Sequence, residues 1–160
     1  MRDDLRKLAV ALALLIAPGA GAQQARTPAE TVDAFHAALR NRDTAGALSL
    51  LDRGLVVYEF GAVDATAEAY ALRHLPFDMD LAVAARWTLE SRRAGGEGNE
   101  RWVLSTYRVT GKQSDGTPID QTTLETVILR RVGGQFRIAH FHWSTSDAAF
   151  QARTQRERKP

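Results

Sequence analysis

Two periods of apolar residues divide the chain. From Pro28 onward the first period is helical: Val32, Phe35, Ala38 and Leu39 fall on one stripe of PAETVDAFHAALR. Thr27 is placed to cap this helix, Pro28 suits its first position, and Glu30 stands three residues after the cap, as a capping box requires. Asn41 to Asp43 breaks the stripe. Thr44 to Asp52 reads as a second short helix with Leu48 and Leu51 inward and Gly54 as its stop. LVVYEFG, Leu55 to Gly61, is a β-rich run bounded by glycines, and helical spacing returns from Thr66 to Leu75, ending before Pro76.

Beyond Pro76 the period shortens to two. ARWTLESRR, RWVLSTYRVTG, QTTLETVILRR and QFRIAHFHWST are four strand-like segments, separated by GGEGN, KQSDGTPI and Gly133-Gly134. The last separator is short enough to pin its strands antiparallel. The order is therefore α-α-β-α-β-β-β-β, helices first and a meander after, which is an α+β pattern. A strongly bent antiparallel sheet wrapped around three N-terminal helices buries both apolar faces and leaves a pocket between its mouth and the helices.

One further apolar run does not belong to the fold. Leu8 to Ala17 is uncharged, follows MRDDLRK, and leads into PGAGA. These are the three parts of a secretory signal peptide spanning residues 1–22, and the run is too short for a bilayer-spanning helix, which needs about 20 apolar residues. Taking residues 1–22 from the 160 leaves 138, enough for one domain with a real core. Residues 23–27 read as a linker, 28–147 as the domain and 148–160 as a basic tail. The expected location is secreted or periplasmic, with no membrane association once the signal is removed.

Charge narrows the function. The formal +2 falls to +1 when the signal's three basic and two acidic groups leave, and much of the rest sits on Arg153, Arg156, Arg158 and Lys159. The body carries no basic stripe with interleaved aromatics, which argues against nucleic-acid binding. The chain has no cysteine, so disulfides, thiolate catalysis and sulfur-rich metal sites are excluded. P-loop, G-x-G-x-x-G, G-x-S-x-G and H-E-x-x-H signatures are absent too.

PAETVDAFHAALRNRD, VVYEFG and TTLETVILRRVGGQFRIAHFHWS together resemble the NTF2-like superfamily, the cone-shaped fold of SnoaL-like and ketosteroid-isomerase-like domains. The last phrase is also similar to the association domain of calcium/calmodulin-dependent kinases, which ends in a comparable H-x-H strand. The resemblance implies the cone fold, a homodimer packed sheet against sheet, and a small-molecule pocket. By analogy with the kinase domains it puts the Phe141/Trp143 side inward and the histidines on the back of the sheet. The Tyr and two carboxylates of ketosteroid isomerases do not map onto this chain.

Candidate pocket residues are Tyr58, Glu59, Glu125, His140, His142 and Trp143. Strict alternation puts His140 and His142 on one face with Phe136 and Ile138, though a β-bulge would reverse that parity. Three functions stay open. The first is binding of a small, largely apolar molecule with one polar end. The second is a zinc or copper site built from His74, His140, His142 and a carboxylate, Glu59 or Glu125, since no other cofactor is implied. The third is cofactor-free isomerase, dehydratase or hydrolase chemistry with a His or Glu base and Tyr58 as oxyanion donor. The plainer readings are hydrogen-bonded histidines in a half-buried sheet, a Glu125–Arg108 cross-strand pair, and His36 exposed or acting as a lid group. If the signal is processed as read, N-terminal sequencing of the exported protein begins at Gln23; a product retaining Met1 would refute the assignment.

Overall fold

The computed structural model describes residues 25–147 apart from residues 60 and 114, so the signal segment and the basic tail lie outside the described residues. Helix α1 (Pro28–Arg40) starts as its sequence predicts: Thr27 N–H donates to Glu30 Oε2 at 2.7 Å, and Glu30 N–H donates to Thr27 Oγ1 at 3.2 Å. Helix α2 (Thr44–Ser49) follows, capped by Asp43. Strand β1 (Leu51–Glu59) begins four residues before the expected run, so Leu51 and Gly54 belong to a strand rather than to the end of a helix. The reason is a partner distant in sequence: Leu51 pairs with Ile138, whose N–H donates to Leu50 O at 2.9 Å. A short edge strand, β2 (Ala62–Asp64), then returns along β1.

Helix α3 (Ala67–Arg73), capped by Thr66, stops at His74. Pro76 does not end the helical region. It sits in the first turn of a further helix, α4 (Leu75–Ala84), where a missing N–H is harmless. Among the described residues there are therefore four short helices, where three were expected. The meander is as expected: β3 (Ala85–Gly95), β4 (Glu100–Lys112), β5 (Pro118–Val132) and β6 (Gln135–Asp147). The sheet runs β2-β1-β6-β5-β4-β3 and is antiparallel except where β6 lies parallel to β1.

The helices cover one face of this sheet. Val32, Phe35 and Leu39 of α1 and Tyr70 of α3 pack onto Val57, Phe141, Val127 and Val103, which are neighbours across four strands. These side chains form the centre of the core between helices and sheet.

A bulge in β6 decides what points inward. Leu129 pairs with Ile138, but Ile128 pairs with His140, which leaves Ala139 as the extra residue. Phe136 and Ile138 are buried before the bulge, and Phe141 and Trp143 after it. Alternation without the bulge would put these two pairs on opposite faces. His140 and His142 therefore face outward, as the kinase resemblance implied. Deleting Ala139 should force one buried pair into water. Truncating a single core aromatic costs about 3–5 kcal/mol, against a total stability of about 5–15 kcal/mol, so the deletion variant should lose cooperative thermal unfolding while Ala139→Gly retains it.

Candidate functional site

One row of side chains crosses the covered face of the sheet. Glu59 on β1 pairs with Trp143 on β6, Trp143 with Glu125 on β5, Glu125 with Ser105 on β4, and Ser105 with Arg92 on β3. Paired residues on neighbouring strands share a face, so a line of polar groups lies beside the apolar row of Val57, Phe141, Val127 and Val103. Polar groups inside a protein must find partners. The two ends of the row meet that requirement differently.

At the Arg92 end the network is nearly complete. Glu125 is 3% exposed, and its Oε1 accepts from Trp143 Nε1 at 2.9 Å and lies 2.6 Å from His36 Nε2. Tyr107 OH donates to Glu125 Oε2 at 3.4 Å. Arg92 donates to Tyr107 OH at 2.7 Å, to Ser105 Oγ at 3.1 Å and to Asp33 Oδ1 at 2.7 Å. Burial pushes the Glu125 carboxyl up, but the charge of His36 and hydrogen bonds from His36 and Trp143 outweigh it and hold the group below its ordinary 4.5. Burial, then the neighbouring Glu125 charge, pushes the Tyr107 hydroxyl to about 12, so it keeps its proton.

These groups border a cavity of about 200 Å³ between α1 and β3, lined by Asp33, His36, Trp87, Leu89, Arg92 and Tyr107, with Arg40 at its edge. Trp87 keeps its indole N–H buried and without a hydrogen-bond partner among the described residues. Asp33 is the outermost member, with a side chain 61% exposed.

At the Glu59 end the partners run short. Glu59 is 2% exposed and neither carboxylate oxygen has a hydrogen-bond partner among the described residues. Burial first, then the negative charges of Asp78 and Asp64, raises its carboxyl to about 9. Asp78 accepts from Tyr70 OH at 2.7 Å. Burial raises Asp78 to about 7, against the lowering effects of the Tyr70 bond and of His74.

The residues singled out from the sequence separate. Tyr58, Glu59, His142 and Trp143 border one groove of about 510 Å³ at the β1–β6 edge. Tyr58 and His142 do so from the outer face, and the Glu59 oxygens are out of its reach, being buried. His140 is also on the outer face, where its Nδ1 meets Val56 O at 2.8 Å and its ring meets Tyr58 edge-on. His74 lies on the covered side, so His74, His140 and His142 are not brought to one point. Glu125 is not paired with Arg108, which faces the other way and contacts Asp120.

Sequence reasoning missed His36, Trp87, Arg92 and Tyr107. His36 is 6% exposed, neither a surface group nor a lid. Its signal was available: it follows Val32 by four residues, which places it on the same helical stripe. Arg92 gives no such sign, because a Glu90 bulge shifts its strand's register against β4.

A SnoaL-like domain family model matches residues 29–148. Among solved structures, the chain is similar to a candidate ketosteroid isomerase from Shewanella frigidimarina, at 29% identity over 72% of this chain and 92% of that one, with a TM-score of 0.69. It is also similar to a candidate dehydratase of the NTF2-like family from Streptomyces avermitilis (17% identity, 75% and 94% covered, TM-score 0.63). The association domain of C. elegans calcium/calmodulin-dependent kinase II matches at 14% identity, 72% and 91% covered, with a TM-score of 0.59. These last two share the fold. A search of curated proteins finds no match.

Because Glu125 is held below its ordinary value, its contribution to stability is fully present above about pH 4.5 and is lost as pH falls through the lowered value. His36→Leu removes its principal partner and leaves a buried carboxylate short of a hydrogen bond. The expected cost is about 3 kcal/mol or more at neutral pH, measured by urea denaturation, with the acid limb of the pH–stability curve flattened relative to the parent.

Proposed function

The chain belongs to the SnoaL-like domain family, and on that premise we propose that it works after export as a binding domain for a small, largely apolar molecule with one anionic end, such as an aryl or alkyl carboxylate. The supporting observation is an unused donor beside a guanidinium at the cavity between α1 and β3. Arg92 is largely buried, and Trp87 has a spare indole N–H. The one carboxylate that Arg92 meets there belongs to Asp33, an exposed side chain on the rim. Asp33 is positioned as an exchangeable stand-in for a ligand carboxylate, with Trp87 and Leu89 supplying apolar wall. Bidentate recognition of a planar anion is what a guanidinium does well.

A second reading applies to the same cavity. His36 lines it and is oriented by Glu125, while Tyr107 keeps its hydroxyl proton beside them. An imidazole fixed by a carboxylate next to a hydroxyl donor is the arrangement of a general base with an oxyanion partner, which supports cofactor-free proton transfer. The outer sheet face carries exposed Tyr58, Leu104, Leu124 and Ile128, which supports a homodimer that would cover His140 and His142. No described helix is long and apolar enough to cross a membrane.

Titration with benzoate, phenylacetate and hexanoate, followed by two-dimensional NMR, tests the binding reading. The Trp87 indole peak and the amides around His36 should shift saturably, and benzyl alcohol should bind far more weakly. A charge-assisted hydrogen bond is worth about 1.5–3 kcal/mol, so Arg92→Leu should weaken binding roughly ten- to a hundredfold. Asp33→Asn, which removes the competing carboxylate, should strengthen it. If none of the three acids moves the Trp87 peak, or if Arg92→Leu changes nothing, the reading fails.

A further inference from the structure

The opposite end of the polar row takes no part in that cavity. Glu59 comes from the end of β1, Asp64 from the end of β2, and His74 from the junction of α3 and α4. One ligand atom from each lies within 4.8 Å of the others. His74 Nδ1 contacts Asp64 Oδ2 and is 3.6 Å from Glu59 Oε1. Three chain segments thus deliver an imidazole and two carboxylates to one point.

The cluster is short of positive charge. Glu59 is 98% buried by its 2% exposure, and both of its oxygens lack a hydrogen-bond partner among the described residues. Asp78 Oδ1 is likewise unpartnered, and Asp64 Oδ1 has the Arg73 guanidinium at 3.2 Å as an ion pair. That guanidinium is 56% exposed and sits on the solvent side. A buried carboxylate with nothing to accept from costs several kcal/mol. Glu59 is the member left without a donor, since Asp78 accepts from Tyr70 and Asp64 meets His74 and Arg73, and it is the group an added cation would satisfy.

We propose that Glu59, Asp64 and His74 form a binding site for a divalent transition-metal ion. A tetrahedral ion with bonds of about 2.1 Å holds its ligand atoms about 3.4 Å apart, close to the 3.6 Å between His74 Nδ1 and Glu59 Oε1, while the direct contact of His74 Nδ1 with Asp64 Oδ2 would have to open for both to bind the ion. One imidazole nitrogen with carboxylate oxygens suits zinc, manganese or ferrous iron, and among these zinc binds such donors most tightly. The donor set also agrees with a chain that has no cysteine to offer. His74, with 17% of its side chain exposed, marks the route of entry and the side on which a water ligand would sit. Tyr70 holds Asp78 beside the site, adding negative charge without adding a third carboxylate ligand. Of the set expected from the sequence, His74 and the carboxylate Glu59 are kept, and Asp64 joins them in place of His140 and His142.

The test uses the full chain without a histidine tag, stripped with chelator and titrated with zinc chloride. Thermal unfolding should shift upward with zinc concentration, as linkage requires of an ion that binds the folded state. Mass spectrometry after gel filtration should find zinc retained in stoichiometric amount. Glu59→Gln and His74→Gln should fold, as judged by near-ultraviolet circular dichroism, and each should weaken zinc binding by at least about tenfold. A His140→Gln/His142→Gln double variant should bind zinc as the parent does. Cobalt in place of zinc should give visible d–d bands that disappear in Glu59→Gln. Absence of retained zinc and of any thermal shift at millimolar zinc would overturn the proposal, as would a shift that survives both Glu59→Gln and His74→Gln or one that follows His140 and His142. The carboxylate titration at Trp87 reads a separate site, so either proposal can fail without the other.

Discussion

The contact between His36 and Glu125 governs how the covered face of the sheet can be used. It joins the first helix to the fifth strand across 89 residues of chain, at 2.6 Å, in a place almost closed to water. A carboxylate buried there without its imidazole would be a liability of several kcal/mol. With it, Glu125 becomes a fixed anion that also orients Trp143 and Tyr107. Arg92 is drawn inward to Tyr107, and the helix is held at the height that leaves a gap above Trp87. The cavity is thus set by a charge and its partners as much as by the shape of the sheet.

Trp143 stands between the two polar centres, next to Glu59 on one strand and Glu125 on the other. Its indole N–H serves Glu125, so its ring presents only apolar surface toward Glu59. That asymmetry separates a satisfied carboxylate from an unsatisfied one two strands away. The two ends of the row consequently differ in protonation: Glu125 is held as an anion, while Glu59 is pushed toward the acid form. Residues of the same type in the same row acquire opposite character from their neighbours alone, as buried titratable groups do.

Much of the fold was legible in the sequence because it is written in short-range signals. Thr27, Pro28 and Glu30 announce a helix start, and Gly133-Gly134 announces a hairpin. Features set by partners distant in sequence were not legible. Leu51 to Gly54 become strand because β6 runs alongside, and Pro76 opens a helix because it falls in a first turn. The bulge at Ala139 lies in a run of apolar and aromatic residues whose composition does not betray it. For the site, Glu125 and Glu59 were both among the candidates, and the strand's alternation turns Glu59 inward and its neighbour Tyr58 outward. Asp64 did not stand out: its importance comes only from the β2 turn that carries it back beside Glu59, and a three-residue edge strand leaves almost no periodic trace.

The position of β6 has a consequence for biogenesis. It is the last of the described strands to be synthesised, yet it lies between β1 and β5 in the sheet. Until it emerges from the ribosome, the helices and the first strand have no seat, and the hairpins of the meander lack the neighbour that completes their packing. The native sheet therefore cannot close before β6 is available, and its parallel pairing with β1 is the kind of non-local contact that slows folding.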